Sequence, residues 1–153
     1  MSDWGGTLRL AAIVRLADGE EVSGQFFLQE RVPHHSGPET PLDLLERSER
    51  FLPLALPDES VVFLSKAHIG LLRCDPAPPE SELDRLGIDR FVELELEMVD
   101  GHVVHGRAGV MQPPTRLRAL DCLNSGGGFL AFWVGEAAFY INRAHVRVAR
   151  PIE

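Results

Sequence analysis

Only two cysteines, Cys74 and Cys122, occur in the 153 residues, too few for the disulfide framework that holds small secreted domains together. Lysine occurs once, at Lys66, so nearly all positive charge is arginine, a side chain suited to fixed two-pronged contacts. Neither half is basic: residues 1–77 carry 7 basic and 12 acidic side chains, residues 78–153 carry 8 and 11, and the chain as a whole carries −8. Affinity for phosphate backbones comes from clustered Lys and Arg, so this balance disfavours general nucleic-acid or anionic-membrane binding. No window approaches the roughly 18 unbroken apolar residues of a membrane-spanning helix. Met1-Ser2-Asp3-Trp4 has neither the basic start nor the apolar core of a secretory signal. These absences predict a cytoplasmic protein with no membrane partner.

What the chain does contain is a repeat. Phe139-Tyr140-Ile141-Asn142-Arg143-Ala144-His145-Val146 has an edited copy in Phe63-Leu64-Ser65-Lys66-Ala67-His68-Ile69. Asp18-Gly19 with Gly24 answers Asp100-Gly101 with Gly106, Leu42-Asp43 answers Leu120-Asp121, and Phe51-Leu52 answers Phe129-Leu130. Landmarks in the same order at matching distances mark an internal duplication. The first unit is expected over 1–75, a proline-rich connection with a short helix over 76–87, and the second unit over 88–153. Units this short sit near the lower limit for an independent core, so the two copies are expected to pack together.

The local pattern is that of strands. Residues 7–16 alternate imperfectly and run into Asp18-Gly19, a type I′ hairpin signal. Val22, Phe26 and Leu28 follow on one face, with Gly24 suited to a bulge or sharp bend. In the second copy Val92, Leu94, Leu96 and Met98 alternate cleanly with Glu93, Glu95 and Glu97, as in a strand covered on one side. Prolines and a glycine between Glu30 and Thr40 predict an exposed loop. Short helical segments are expected over 41–47, 81–87 and 117–123. Strands are expected from Phe51 and from Phe129, then tight hairpins at Pro57-Asp58 and Gly135-Glu136, and final strands carrying the repeated motif. Phe132 and Trp133 are neighbours in a strand and must face opposite ways, which points Trp133 or Phe132 at the other copy, another subunit or a partner.

This succession resembles the Sm-like fold, a small, strongly bent SH3-type barrel. The likeness is carried by Asp100-Gly101 with Gly106, by Asp121 and Asn124, and by the stretch from Tyr140 to Val146, with weaker counterparts in the first copy. The chain departs from that family in a short Asp-to-Asn spacing and in longer loops before Asp43 and Asp121. The resemblance implies an all-β protein of two tandem five-stranded barrels. It also implies binding candidates. Sm-like proteins that bind RNA use the turn matched here by Lys66, His68, Asn142, Arg143 and His145, together with a residue matching Asn124, to hold a nucleotide. A repeated basic-x-His step equally suits a structural turn, and Glu46, which answers Asn124 in the first copy, would repel phosphate.

No other constellation has the spacing that chemistry requires. His34-His35, His102, His105, His68, His145, Cys74 and Cys122 form no metal signature, and residues three apart in a strand, such as His102 and His105, point to opposite faces. Gly126-Gly127-Gly128 lacks the Lys-Ser/Thr of a phosphate-binding loop. Cys122, in an apolar run, reads as a core residue. No cofactor is expected. The reading is a non-enzymatic binding or assembly module, with an RNA-binding Sm-like protein as the alternative and a metal-dependent enzyme more distant. Open barrels leave unpaired strand edges, so self-association as a dimer or a ring of three chains, or an unidentified protein partner, is expected; the candidate edges are Val92 to Met98 and Phe139 to Val146.

Overall fold

The computed structural model describes residues 7–30, 32, 37–78, 90–110 and 118–152. The chain is all-β, as the alternation predicts. The first half contains β1 (Thr7–Leu16), β2 (Glu21–Gln29), β3 (Phe51–Ala55), β4 (Val61–Ser65) and β5 (Ile69–Cys74). The second contains β6 (Arg90–Met98), β7 (Val103–Val110), β8 (Phe129–Val134), β9 (Ala137–Asn142) and β10 (Val146–Pro151). Two short helices, α1 (Pro41–Leu45) and α2 (Arg118–Asn124), precede β3 and β8. The helix expected over 81–87 and the pair His34-His35 lie outside the described residues.

The ten strands among the described residues belong to one antiparallel sheet in the order β10-β6-β7-β8-β9-β5-β1-β2-β3-β4. Within it each half repeats one order: fifth strand, first, second, third, fourth. The halves meet where β9 pairs with β5, in the register Leu71 to Ile141, Leu72 to Tyr140, Arg73 to Phe139 and Cys74 to Ala138. Among the described residues the open edges are therefore β4 and β10. This corrects the expected edges: Val92 to Met98 lies in β6, between β10 and β7, and Phe139 to Asn142 lies in β9, between β8 and β5. An alternating strand with glutamates reads as an edge, but in β6 those side chains lie on one sheet face, only Glu93 of them exposed, while both of its main-chain rails are bonded.

Turn chemistry sets the hairpins, with one correction. At Asp18-Gly19 only the glycine has positive φ (94°), and at Asp100-Gly101 only Gly101 does (90°). Type I′ needs positive φ at both central positions. Instead Gly19 N–H donates to Leu16 O at 2.9 Å and Leu16 N–H to Glu20 O at 2.8 Å, a type I turn followed by a glycine bulge. Met98, Gly101 and His102 repeat it. The aspartates add their own bonds, Asp18 Oδ1 accepting from Glu20 N–H and Asp100 Oδ1 from His102 N–H, both at 2.9 Å. The β3–β4 turn has the same pattern with Asp58, but Glu59 occupies the left-handed position (φ 69°).

Gly24 and Gly106 stand where the second strand of each half passes close against the third. A Cβ on Gly24 would lie 2.5 Å from Ala55 O, and one on Gly106 would lie 2.4 Å from Trp133 O. Only a residue without a side chain permits that approach. Thr40 opens α1 with a reciprocal cap: its hydroxyl accepts from Asp43 N–H at 3.1 Å and Asp43 Oδ2 accepts from Thr40 N–H at 3.0 Å.

Two apolar clusters fill the interior, and each takes side chains from both halves. Val14, Phe26, Leu44, Leu52, Leu54, Ile69 and Leu72 pack with Phe129, Trp133 and Tyr140 of the second half. Leu94, Leu96, Met98, Phe132 and Ile141 pack with Leu71 of the first. Phe132 and Trp133 thus part as adjacent strand residues must, one into each cluster. Each such large side chain removed from water contributes about 1.5–3 kcal/mol, so the halves are joined by core as well as by main chain.

Candidate functional site

The repeated motif is a break between two strands rather than part of one. Lys66–His68 and Arg143–His145 each form a single 3-10 turn, linking β4 to β5 and β9 to β10. The two turns are built alike and used differently.

Both basic residues point inward. Lys66 Nζ donates to Leu45 O at 3.3 Å and to Arg47 O. Arg143 donates from Nε to Leu123 O at 3.0 Å, from Nη2 to Cys122 O at 3.2 Å, and from Nη1 to Phe129 O at 2.9 Å and to Gly127 O. The last carbonyls of a helix have no partners within it and carry its negative dipole end, which a cation satisfies. Each basic side chain thus ties its 3-10 turn to the helix end that precedes β3 or β8. Burial pushes both ammonium and guanidinium groups down in pKa, opposed at Lys66 by Glu49 and at Arg143 by the neighbouring Cys122 and Glu46. Cys122 is itself pushed up by burial.

The remaining candidates divide between the junction and the surface. Asn142 is buried; its Nδ2 donates to Ile69 O of the first half at 2.9 Å and its Oδ1 accepts from Ala144 N–H at 3.0 Å. His145 Nε2 lies 2.8 Å from Ala67 O. The second turn therefore rests on the first, and Asn142 and His145 are joint-forming residues. His68 is exposed, its main-chain oxygen accepting from Ala17 N–H at 2.9 Å. Asn124 is exposed at the end of α2. Glu46, its counterpart at the end of α1, lies across the junction against the glycine loop, where a Cβ on Gly127 would stand 2.5 Å from its Oε1. The structure thus sets a carboxylate beside Arg143 and Gly127.

Sequence reasoning missed two parts of this joint. Arg15 Nε donates to Asp100 Oδ2 at 2.9 Å, an ion pair between the halves. Burial pushes the Asp100 carboxyl up, but the His102 N–H and the Arg15 guanidinium outweigh it and hold the group below the usual carboxylate range. Locally Asp100 is a turn former, and no sequence pattern connects it to Arg15. The other is Gly70, where a Cβ would stand 3.3 Å from Arg15 O and 3.7 Å from His145 Nδ1.

Among the described residues no group of three or more His, Cys, Asp or Glu is placed to hold a metal ion. His105 lies 3.6 Å from Glu93 on the surface, and His102 is held at its turn by Asp100. No helix among the described residues is long and apolar enough to cross a membrane. No family model, no curated protein and no solved structure matches the chain.

The most conspicuous surface lies at the β4 edge. Phe51 is 58% exposed and Phe63 is 67% exposed, with Val61 beside them. Their counterparts in the second half, Phe129, Tyr140 and Ala138, are buried against the first half.

Proposed function

We propose that this chain is a non-enzymatic assembly module made of two Sm-like units fused in tandem. One observation carries the reading: β9 of the second unit pairs with β5 of the first, which leaves the corresponding strands, β4 and β10, without a strand partner among the described residues at the two ends. A fourth-to-fifth-strand joint has formed within the chain, and the apolar face it covers in the second unit stands bare on β4. An unpaired edge with exposed aromatic side chains invites main-chain pairing. The strand order shared by the halves and the close approach of strands at Gly24 and Gly106 support the Sm-like assignment.

The alternative, an RNA-binding Sm-like protein, has less behind it. Lys66 and Arg143 are committed to carbonyls, Glu46 stands beside the second turn, and the net charge is −8. Fluorescence anisotropy with U-rich and A-rich oligomers is expected to give no submicromolar binding at physiological salt; binding that weakens in Arg143→Ala and Lys66→Ala would promote this reading.

The assembly reading is tested by comparing the wild type with Phe63→Asp in light scattering and in affinity capture. The expected result is a mass above the 16.9 kDa of one chain or a stoichiometric protein partner, either being lost in Phe63→Asp. A wild-type monomer that captures nothing overturns it.

A further inference from the structure

The two open edges are not equivalent, and their difference selects one mode of assembly. Lys66 N–H donates to Arg50 O at 2.8 Å and Leu56 N–H to Ser60 O at 2.8 Å. Even-numbered residues of β4 therefore turn their main-chain groups toward β3, and Val61, Phe63 and Ser65 turn theirs outward. That rail is complete, and Val61 and Phe63 on it are exposed.

The β10 edge is blunted by comparison. Counting from the 3-10 turn, Arg147 and Pro151 of β10 stand where Gly70 and Cys74 stand in β5. Ile152 N–H donates to Glu93 O at 3.0 Å, so by alternation Pro151 turns its nitrogen to the open side, where it has no hydrogen to give. Gly70 admits the partner turn with His145; Arg147 fills the same place with a long side chain that is 64% exposed and paired with Glu97. A second chain that tried to lay its β4 on β10, as β9 lies on β5, would meet a missing donor and a bulky arginine.

We infer that two copies of this chain pair through their β4 strands about a two-fold axis at Phe63, giving one continuous sheet. The inference rests on the assembly reading above and names its partner. In this register Val61 faces Ser65 of the other copy and Phe63 faces its own counterpart, so all three outward residues meet outward residues and the full strand is used. Phe51 flanks each Phe63 on the same face. The ends bring no like charges together: Asp58, in the turn before β4, comes opposite His68, in the turn after it, and Lys66, whose ammonium is held inward by the Leu45 and Arg47 carbonyls, comes opposite Ser60.

Light scattering and cross-linking test it together. The wild type is expected at twice 16.9 kDa, and Phe63→Asp, which changes an exposed side chain and leaves the circular dichroism spectrum intact, is expected as a monomer with at least tenfold weaker association. In Phe63→Cys with Cys122→Ser, the two introduced thiols lie on residues whose Cα atoms are about 5.5 Å apart across the axis, so a short bis-maleimide is expected to yield covalent dimer joined at 63. An assembly larger than a dimer with no 63-to-63 link overturns the two-fold mode but leaves the assembly reading standing. A monomer at every concentration overturns the two-fold mode, and the assembly reading is then decided separately by capture with wild type against Phe63→Asp.

Discussion

Tyr140 and Phe63 hold the same place in two copies of one hairpin, yet Tyr140 is fully buried while Phe63 is 67% exposed. Asn142 and Ser65 divide in the same way: Asn142 bonds across the junction and caps its 3-10 turn, whereas Ser65 makes no side-chain cap. The turns themselves are nearly identical. Local conformation is thus written locally, by the basic side chain that reaches back to a helix end, and does not depend on whether the strand is covered. Burial belongs to the neighbour.

This comparison can be broken at four points. The largest effect is expected at the aromatic position. Tyr140→Ala should lower stability by about 3–5 kcal/mol because it empties a buried site, while Phe63→Ala should change the stability of dilute protein by less than about 0.5 kcal/mol; urea denaturation read by tryptophan fluorescence measures both. Equal losses would mean that Phe63 is as covered as Tyr140.

Next come the polar residues of the joint. Asn142→Ser is expected to cost about 1–3 kcal/mol, since it withdraws the donor from the buried Ile69 carbonyl. Ser65→Asn at the open end should be neutral within about 0.5 kcal/mol. Exchange protection of the Ala144 and Ala67 amides would localise the loss to the second turn.

The ion pair between the halves should be worth less. Asp100→Asn is expected to cost about 1 kcal/mol at neutral pH, against no measurable change for Asp18→Asn. The folded pKa of Asp100 is depressed, so its contribution is fully present above the unfolded value of about 4 and is lost as pH falls through the folded pKa. The stability curves of wild type and Asp100→Asn should therefore run parallel from neutral pH down to about pH 4 and converge below it.

The smallest effect is a gain. Glu59 occupies the left-handed position that Gly19 and Gly101 fill in the matching turns. Glu59→Gly should raise stability by about 0.5–1 kcal/mol, the relief of strain being partly offset by the entropy of the unfolded glycine. A rise in Tm of a few degrees by calorimetry is the expected reading.

Elements whose cause is local were legible from residues alone. The alternation of Val92, Leu94, Leu96 and Met98 with glutamates and the Asp-Gly turns exert their effect within a few positions, and the duplication announced itself by repeated landmarks. The turn type was misread because both central residues were credited with positive φ when only the glycine takes it. The edges were misread for a deeper reason. Whether a strand is an edge depends on which strand of the other half lies beside it, and no period in β6 or β9 records that. Of the six binding candidates, Lys66, Asn142, Arg143 and His145 stand at structurally decisive points. Their roles were hidden because their partners, the carbonyls of Leu45, Ile69, Phe129 and Ala67, belong to the main chain and carry no sequence signature.

The pairing of β9 with β5 inside one polypeptide also changes what dilution can do. A joint between separate chains dissolves when the protein is scarce, but tethered faces experience an effective concentration in the millimolar range for a short connection, whatever the amount of protein present. The same tether frees the two faces from copying one another. Identical subunits in a ring must show the same residue at every joint, so a change that suits one contact is imposed on all of them. In this chain glycine stands at position 70, where the joint needs space, and arginine at 147, where no such joint forms; inner and outer surfaces of the same unit have become separately adjustable.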